Sequence, residues 1–380
     1  MRSVRDIPEL ENIPVLVRMS QLANEVRLQG ALPTIQYLRE HHARVILATH
    51  VSGESTAGAR AKGTGTTKPM YDALKKYIPD LVWCPVSIGP QARAAVRDLL
   101  PGQVVLLENL RWNAGEEKND PEFAKELASL ADVFVQDAFD NCHRVHASMV
   151  SVPNLLPSYA GFTLEKEVQE LTKALKPKHP ALAIIAGAKF STKEPVLKKL
   201  LEIYDHVFVG GALANDFLKA KGYSVGVSLV SNEGQHHIKE LLQHKRLVTP
   251  VDVIAAPPKS TREAGRACMA GEVHADEAVL DAGPHTAAAL VDLINTSKTV
   301  LWNGPLGLFE QGFNDSSATV ARAMAGADTY SIIGGGDTID AIESMHLLDE
   351  FSFVSTGGGA MLDFLAYGTL PGIAALSKAR

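Results

Sequence analysis

Two trains of short apolar runs, each interleaved with helix-like stretches and separated by prolines, constrain this chain more than any other feature. In the first train the runs are 15–18 (VLVR), 45–48 (VILA), 81–84 (LVWC), 104–107 (VVLL) and 133–135 (VFV). Helix-like stretches lie between them at 31–39, entered near Pro33, at 69–77, opened by Pro69, and at 90–99 and 121–130. A run with apolar residues at helical spacing comes next at 160–175, and Pro177 and Pro180 end it. The alternation then restarts, with runs at 182–185, 207–209, 251–255, 300–302, 332–333 and 353–354. Alternating strands and helices imply a parallel sheet with helices on both faces. The expected fold is therefore α/β: two doubly wound, Rossmann-like parallel-sheet lobes joined by a helix. The expected boundaries are 1–158 for the first lobe, 159–176 for the joining helix and 177–364 for the second lobe.

At 380 residues the chain is too long for one ordinary core, which agrees with two lobes. Its net charge of −6 argues against a nucleic-acid binder, for which a clustered positive surface is expected. Cys84, Cys142 and Cys268 are odd in number and widely spaced, which fits a reducing cytosol and no disulfide framework. No signal-peptide pattern or run of about 18 apolar residues occurs, so a cytoplasmic protein without a membrane partner is expected. Monomer is the default expectation.

In parallel sheets ligands collect beyond the carboxyl ends of strands. In the first lobe those ends carry His50, Arg111, His143, Arg144 and His146, which suits a small anionic substrate. In the second they carry Gly187-Ala188-Lys189, Gly210-Gly211, Asn303-Gly304-Pro305, Gly334-Gly335-Gly336 and Gly357-Gly358-Gly359, which suits a nucleotide.

The stretch YSIIGGGDTID, 330–340, reads as a strand, a glycine turn and a helix start. Such a turn lets backbone approach a ligand, and free N–H groups of a first helical turn favour an anion such as phosphate. A tight βα turn without a ligand is the plainer alternative. Asp337 beside the turn would repel a phosphate unless a cation such as Mg²⁺ lay between them. Lys189 and Lys193 stand four apart, at the spacing of one helix face, either as solvated charges or as groups neutralising phosphate. Glu310 stands beyond a glycine-proline turn and suits either ribose hydroxyls or solvent.

Taken together, ALPTIQYL, LLENLRW, HRVHAS, AGFTLEKE, GAKFSTK, WNGPLGLFE, IIGGGDT, STGGGAMLDFL and LPGIAAL resemble phosphoglycerate kinase, in order and over nearly the whole chain. The resemblance implies phosphoryl transfer between 1,3-bisphosphoglycerate and Mg-ADP, giving 3-phosphoglycerate and Mg-ATP. It also implies two lobes that close by a hinge, with 365–380 returning to the N-terminal lobe. Arg27 matches the family's catalytic arginine, just before the ALPTI helix. Lys193 matches the lysine that tracks the moving phosphoryl group, and Lys189 its neighbour. Arg111 and Arg144, with His50, match the basic patch that holds the glycerate carboxylate and phosphate. Gly187, Gly211, Asn303, Pro305 and Glu310 fall where the family contacts adenosine. Gly334, Gly335 and Gly336 fall in the family's nucleotide site. Next to them, Asp337 matches the metal-linked carboxylate, directly or indirectly, and Thr338 the phosphate-binding hydroxyl. Gly357 and Gly358 match the loop near the transferred group.

Departures cluster in the first lobe. The family's R-x-D-x-N, whose Asp and Asn hold the glycerate, is here Arg18-Met19-Ser20-Gln21-Leu22, and the next loop is short before Arg27. After His50 the family continues L-G-R, but this chain has Val51, Ser52 and Gly53. Hydrogen bonds to charged groups contribute roughly 1.5–3 kcal/mol each, so two or three uncompensated losses would weaken substrate binding by about 10²-fold or more. Two readings stand: a working kinase with rearranged contacts, drawing on Gln21, Asn24, Arg60 or Lys62, or a catalytically weakened nucleotide-binding module of the same fold. A dehydrogenase is disfavoured, since no G-x-G-x-x-G comes after the first strand.

Overall fold

A computed structural model describes residues 1–22, 25–51, 64–231 and 234–378. The chain divides into two compact units, Met1–Gln169 with Thr369–Arg380, and Glu170–Gly368.

The first unit is built on β1 (Pro14–Arg18), β2 (Arg44–Ala48), β3 (Val82–Cys84), β4 (Val104–Leu107), β5 (Val133–Gln136) and β6 (Ser158–Ala160). All are parallel, in the order β3-β4-β2-β1-β5-β6. Every residue of β1, β4 and β5 is buried, as expected of strands covered on both faces. From β1 the chain builds outward to one side through β2 and later to the other through β5. The crevice between β1 and β5 is thus the topological switch point.

One helix differs from expectation. It spans Glu25–Glu40, with Pro33 inside it, so Arg27 lies in its first turn rather than before it. Pro33 lacks the N–H that would reach the Gln29 carbonyl, and tertiary bonds hold this part of the helix in place. Here Gly30 O accepts the Thr163 hydroxyl at 2.7 Å, and the Thr34 hydroxyl accepts the Phe162 amide at 3.0 Å. The joining helix, Phe162–Ala174, starts later than 160 because Ala160 is already paired with Gln136 in the sheet. Asp137 fixes that start by accepting the Thr163 and Leu164 amides at 2.9 and 3.3 Å. Burial pushes its carboxyl up to about 7. The last helix, Pro371–Lys378, belongs to this unit; Gly372 N donates to Cys142 O at 2.9 Å.

The second unit carries β7 (Ala181–Ile185), β8 (His206–Val209), β9 (Leu247–Val248), β13 (Thr299–Asn303), β14 (Tyr330–Gly334) and β15 (Phe353–Ser355). Their order is β15-β14-β13-β7-β8-β9, again all parallel, with the switch point between β7 and β13. Trp302 fills the core beside Leu182, Ile184 and Ile333. The run at 251–255 does not join this sheet. As β10 (Asp252–Ala256) it centres a separate antiparallel sheet between β11 (Arg266–Met269) and β12 (Ala278–Ala282). The connection from β10 to β11 is residues 257–265, and its one regular element is the 3₁₀ turn Arg262–Ala264. A parallel return needs a longer crossover, so the strand comes back antiparallel.

Candidate active site

In the first unit a buried cation underlies the strand ends. Arg18 closes β1 with its guanidinium inside the protein, donating from Nε to Ser148 Oγ at 2.9 Å and from Nη1 to Met19 O. Ser148 in turn donates to Glu116, from Oγ at 2.6 Å and from its amide at 3.0 Å. Burial lowers the Arg18 pKa and raises that of Glu116, and the opposite charges offset part of each shift. Neither Glu116 nor Ser148 was expected at the site. An arginine closing an otherwise apolar strand was the only signal of such a network.

His50 sits on this base, its Nδ1 3.0 Å from Arg18 Nη2. Burial, then Arg18, Arg111 and Arg144, drives its pKa down to about 2, so the ring is neutral. His146 is lowered to about 4, by burial first and then by Arg111 and Arg144, with Glu117 opposing. Arg111 is buried; its Nε stands 3.3 Å from Glu117 Oε1, and its Nη2 has no hydrogen-bond partner among the described residues. Arg144 is exposed, and Arg27 Nη1 lies 3.4 Å from Asp140 Oδ2. Leu22 and Val51 are packing residues against the apolar core. Asn24, Gly53, Arg60 and Lys62 lie outside the described residues.

In the second unit the three glycines have three settings. Gly334 ends β14, Gly336 begins the helix Gly336–Glu343, and Gly335 alone makes the turn with φ of 100°. A Cβ on Gly335 would lie 3.2 Å from both Asn303 Nδ2 and Thr338 Oγ1, so conformation and space both require glycine. Thr338 is buried, and its hydroxyl accepts Gly304 N at 2.7 Å, tying two turns together. Asp337 projects outward from the first helical turn.

Lys193 Nζ donates to Asn303 Oδ1 at 2.7 Å, and its stem passes against Gly187. Burial lowers its pKa to about 8, opposed by the Asp337 carboxylate. Asn303 is itself buried, held from the other side by Met361 Sδ at 3.7 Å. Lys189 does not share a helix face with Lys193. It is the N-cap residue, with extended backbone, and the helix Phe190–Ile203 begins only after it.

A cleft of about 390 Å³ opens beside these turns. Five expected residues line it: Gly187, Gly211, Pro305, Glu310 and Asp337. Gly211, at φ of 60°, packs so closely that a Cβ would stand 3.0 Å from Gly187 N and from Pro305 O. The apolar walls come from Leu229, Val253, Leu280, Leu306 and Phe309, none of them singled out from the sequence. Asp281 also lines the cleft; it accepts Ala282 N at 2.8 Å and the Ser316 hydroxyl, and burial pushes it up to about 6. An acidic residue inside the apolar run AVLDA was its only trace in the sequence. Gly357, whose amide donates to Ser355 Oγ at 3.2 Å, and Gly358, with φ of 54°, turn β15 into the helix Gly359–Tyr367 and lie off the cleft wall. Among the described residues no group of three His, Cys, Asp or Glu is placed to hold a metal.

The architecture defines the class first: an α/β protein of two doubly wound parallel sheets. The chain belongs to the phosphoglycerate kinase family, whose model matches residues 11–367. Its enzymes are kinases that transfer phosphate to a carboxyl group, with phosphoglycerate and ATP or ADP as substrates. A relative from Moorella thermoacetica named phosphoglycerate kinase is 41% identical over 97% of this chain and 98% of its own length. One of the same name from a Roseiflexus species is 40% identical, covering 97% and 94%. The solved phosphoglycerate kinase of Coxiella burnetii superposes with a TM-score of 0.85 at 35% identity, over 99% of this chain and 98% of that one. That of Pyrococcus horikoshii gives 0.87 at 28% identity, over 100% and 99%.

Proposed function

We propose that the chain catalyses reversible phosphoryl transfer between 1,3-bisphosphoglycerate and Mg-ADP, giving 3-phosphoglycerate and Mg-ATP. The observation that carries this reading is Lys193, a largely buried cation held by Asn303 against Gly187 at a nucleotide-sized cleft. Phosphoryl transfer asks little covalent chemistry of a protein and much positioning and charge neutralisation. In the forward direction an ADP β-phosphate oxygen attacks the acyl phosphate, and the bond to the glycerate carboxyl oxygen breaks. Lys193, Lys189 and Arg27 are assigned to the charge on the transferring group, and Gly357 and Gly358 to the loop beside it. Arg111, with its unengaged Nη2, joins Arg27, Arg144 and the His50 Nε2–H in holding the substrate's carboxylate and phosphate. Gly187, Gly211 and Pro305 hold the adenosine, and Glu310 takes its ribose hydroxyls. Asn303 acts through Lys193, and Gly334, Gly335, Gly336 and Thr338 shape the phosphate turn.

Mg²⁺ belongs to the nucleotide substrate in this reading. It commonly binds through one or two carboxylates plus substrate phosphates rather than in an all-protein cage. Asp337, exposed on the cleft wall and acting on Lys193, supplies one such carboxylate. We read the protein as a cytoplasmic monomer with small-molecule partners only.

The test is coupled ATP formation from 1,3-bisphosphoglycerate and ADP with Mg²⁺. Turnover that falls roughly 10²-fold or more in Arg27→Ala and Lys193→Ala supports the enzyme. Nucleotide binding without turnover in the unaltered protein would support the weakened binding module instead.

A further inference from the structure

Ser20 and Asp140 leave neighbouring strands and meet at the switch point of the first unit. β1 and β5 pair with Arg18 opposite Gln136, so the loops that leave them lie side by side. Ser20 Oγ donates to Asp140 Oδ1 at 2.6 Å, and Asn141 Nδ2 donates to the same oxygen at 2.7 Å. Oδ2 faces Arg27 Nη1 at 3.4 Å. The carboxylate also acts on Arg18 and Arg111. Its side chain is only 12% exposed, yet it is not closed off.

A cluster of arginines can hold carboxylate and phosphate, but it has no group that accepts a hydrogen bond from an alcohol, since guanidinium only donates. Of the groups assigned to the acid above, His50 alone could accept, and its Nδ1 is engaged by Arg18. A carboxylate offers about four acceptor positions. Among the described residues Asp140 meets two partners on Oδ1 and one on Oδ2, the oxygen that faces Arg27, which leaves Oδ2 the less engaged of the two. The end of β1, where the family motif has its aspartate, has serine here, and the carboxylate stands opposite it on the β5 side.

Resting on the reaction proposed above, we propose that Asp140 accepts the hydrogen bond of the substrate's C2 hydroxyl, as a specificity-determining residue relocated from β1 to the β5 loop. Ser20 holds Oδ1 so that Oδ2 is turned toward the substrate. A purely structural Asp140 would hold Arg27 and treat all acid substrates alike, whereas an acceptor distinguishes a 2-hydroxy acid from its deoxy analogue.

The experiment compares 3-phosphoglycerate with 3-phosphooxypropanoate, which lacks the hydroxyl, as phosphoryl acceptors from Mg-ATP. The unaltered protein is expected to favour 3-phosphoglycerate in kcat/KM. Asp140→Ala is expected to lower kcat/KM roughly 10- to 100-fold more for 3-phosphoglycerate than for the analogue. Equal losses on both acids, or no loss on either, overturn the proposal. If Asp140→Ala does not fold, Asp140→Ser is compared with the exchange Ser20→Asp plus Asp140→Ser: preference for the hydroxyl acid lost in the single variant and restored in the exchange supports the acceptor role, and preference retained in the single variant overturns it. Calorimetric titration of both acids without nucleotide separates this inference from the reaction itself. Hydroxyl-selective binding that depends on Asp140, without turnover, would sustain the inference while the reaction fails. Intact turnover with indifference to the hydroxyl would do the reverse.

Discussion

Arg18 Nη2 lies 3.0 Å from His50 Nδ1, the former residue ending β1 and the latter standing two residues beyond the end of the adjacent β2. Arginine only donates, so Nδ1 accepts and the imidazole proton belongs on Nε2, an assignment made from the hydrogen-bond network. Although His50 stands among cations, it is a neutral donor held in one orientation by a buried charge.

That neutrality makes stability depend on pH. The ring's folded value of about 2 lies below its ordinary 6.5, so the unfolded chain takes up the proton first on acidification. The stability it contributes is complete above 6.5 and drains as pH falls toward 2, at up to about 1.4 kcal/mol per pH unit. Asp137 acts in the opposite sense: raised to about 7, it loses its contribution as pH climbs from 3.8 through 7. Comparing variants removes that background. Thermal melts of His50→Gln between about pH 6 and pH 4 should show a shallower fall in Tm than the unaltered protein. Equal slopes would contradict a buried neutral ring.

Asn303 should matter to turnover without touching the nucleotide. Replacing it by Ala removes the acceptor that holds Lys193 at 2.7 Å and leaves the glycine cleft in place. A hydrogen bond to a charged group is worth roughly 1.5–3 kcal/mol, so kcat is expected to drop about 10- to 100-fold. Nucleotide affinity measured by calorimetry should change much less. A large loss of affinity with unchanged kcat would place Asn303 on the nucleotide instead.

Asp337→Ala is expected to raise the apparent Kd of ADP in Mg²⁺ while leaving it nearly unchanged in excess chelator. The carboxylate is exposed on the cleft wall, so the fold should tolerate its loss. Identical titrations in Mg²⁺ for variant and unaltered protein would exclude a metal-linked role.

Most strands of the two parallel sheets were legible because they are buried and read as unbroken apolar runs, whereas β6 (SYA) and the two-residue, half-buried β9 were not. Proline misled where its helix extended past it: Pro33 lies inside Glu25–Glu40, which carries Arg27 into the first turn. The run at 251–255 looks like any other buried strand, and only the short connection after it reveals the antiparallel partner. Spacing implied a shared helix face for Lys189 and Lys193, but the first helical residue falls between them. The glycine turns were readable as local chemistry. The cleft walls, Leu280 and Phe309 among them, are ordinary apolar residues whose role exists only after β12 and the 3₁₀ turn at Phe309–Gln311 meet. Likewise the departure at Ser20 is visible in one dimension, whereas Asp140 becomes its neighbour only through the pairing of β1 with β5.

The bond from Gly372 N to Cys142 O bears on the order in which the protein is made. A ribosome completes every residue of the second unit before it reaches position 372, so that unit has its full sequence while the first still lacks the helix Pro371–Lys378. Arg144 stands two residues from that bond, on the loop the helix supports. Residues 142–144 therefore reach their final backbone setting only after position 372 has been made, long after the strand that leads into them, Val133–Gln136, is complete.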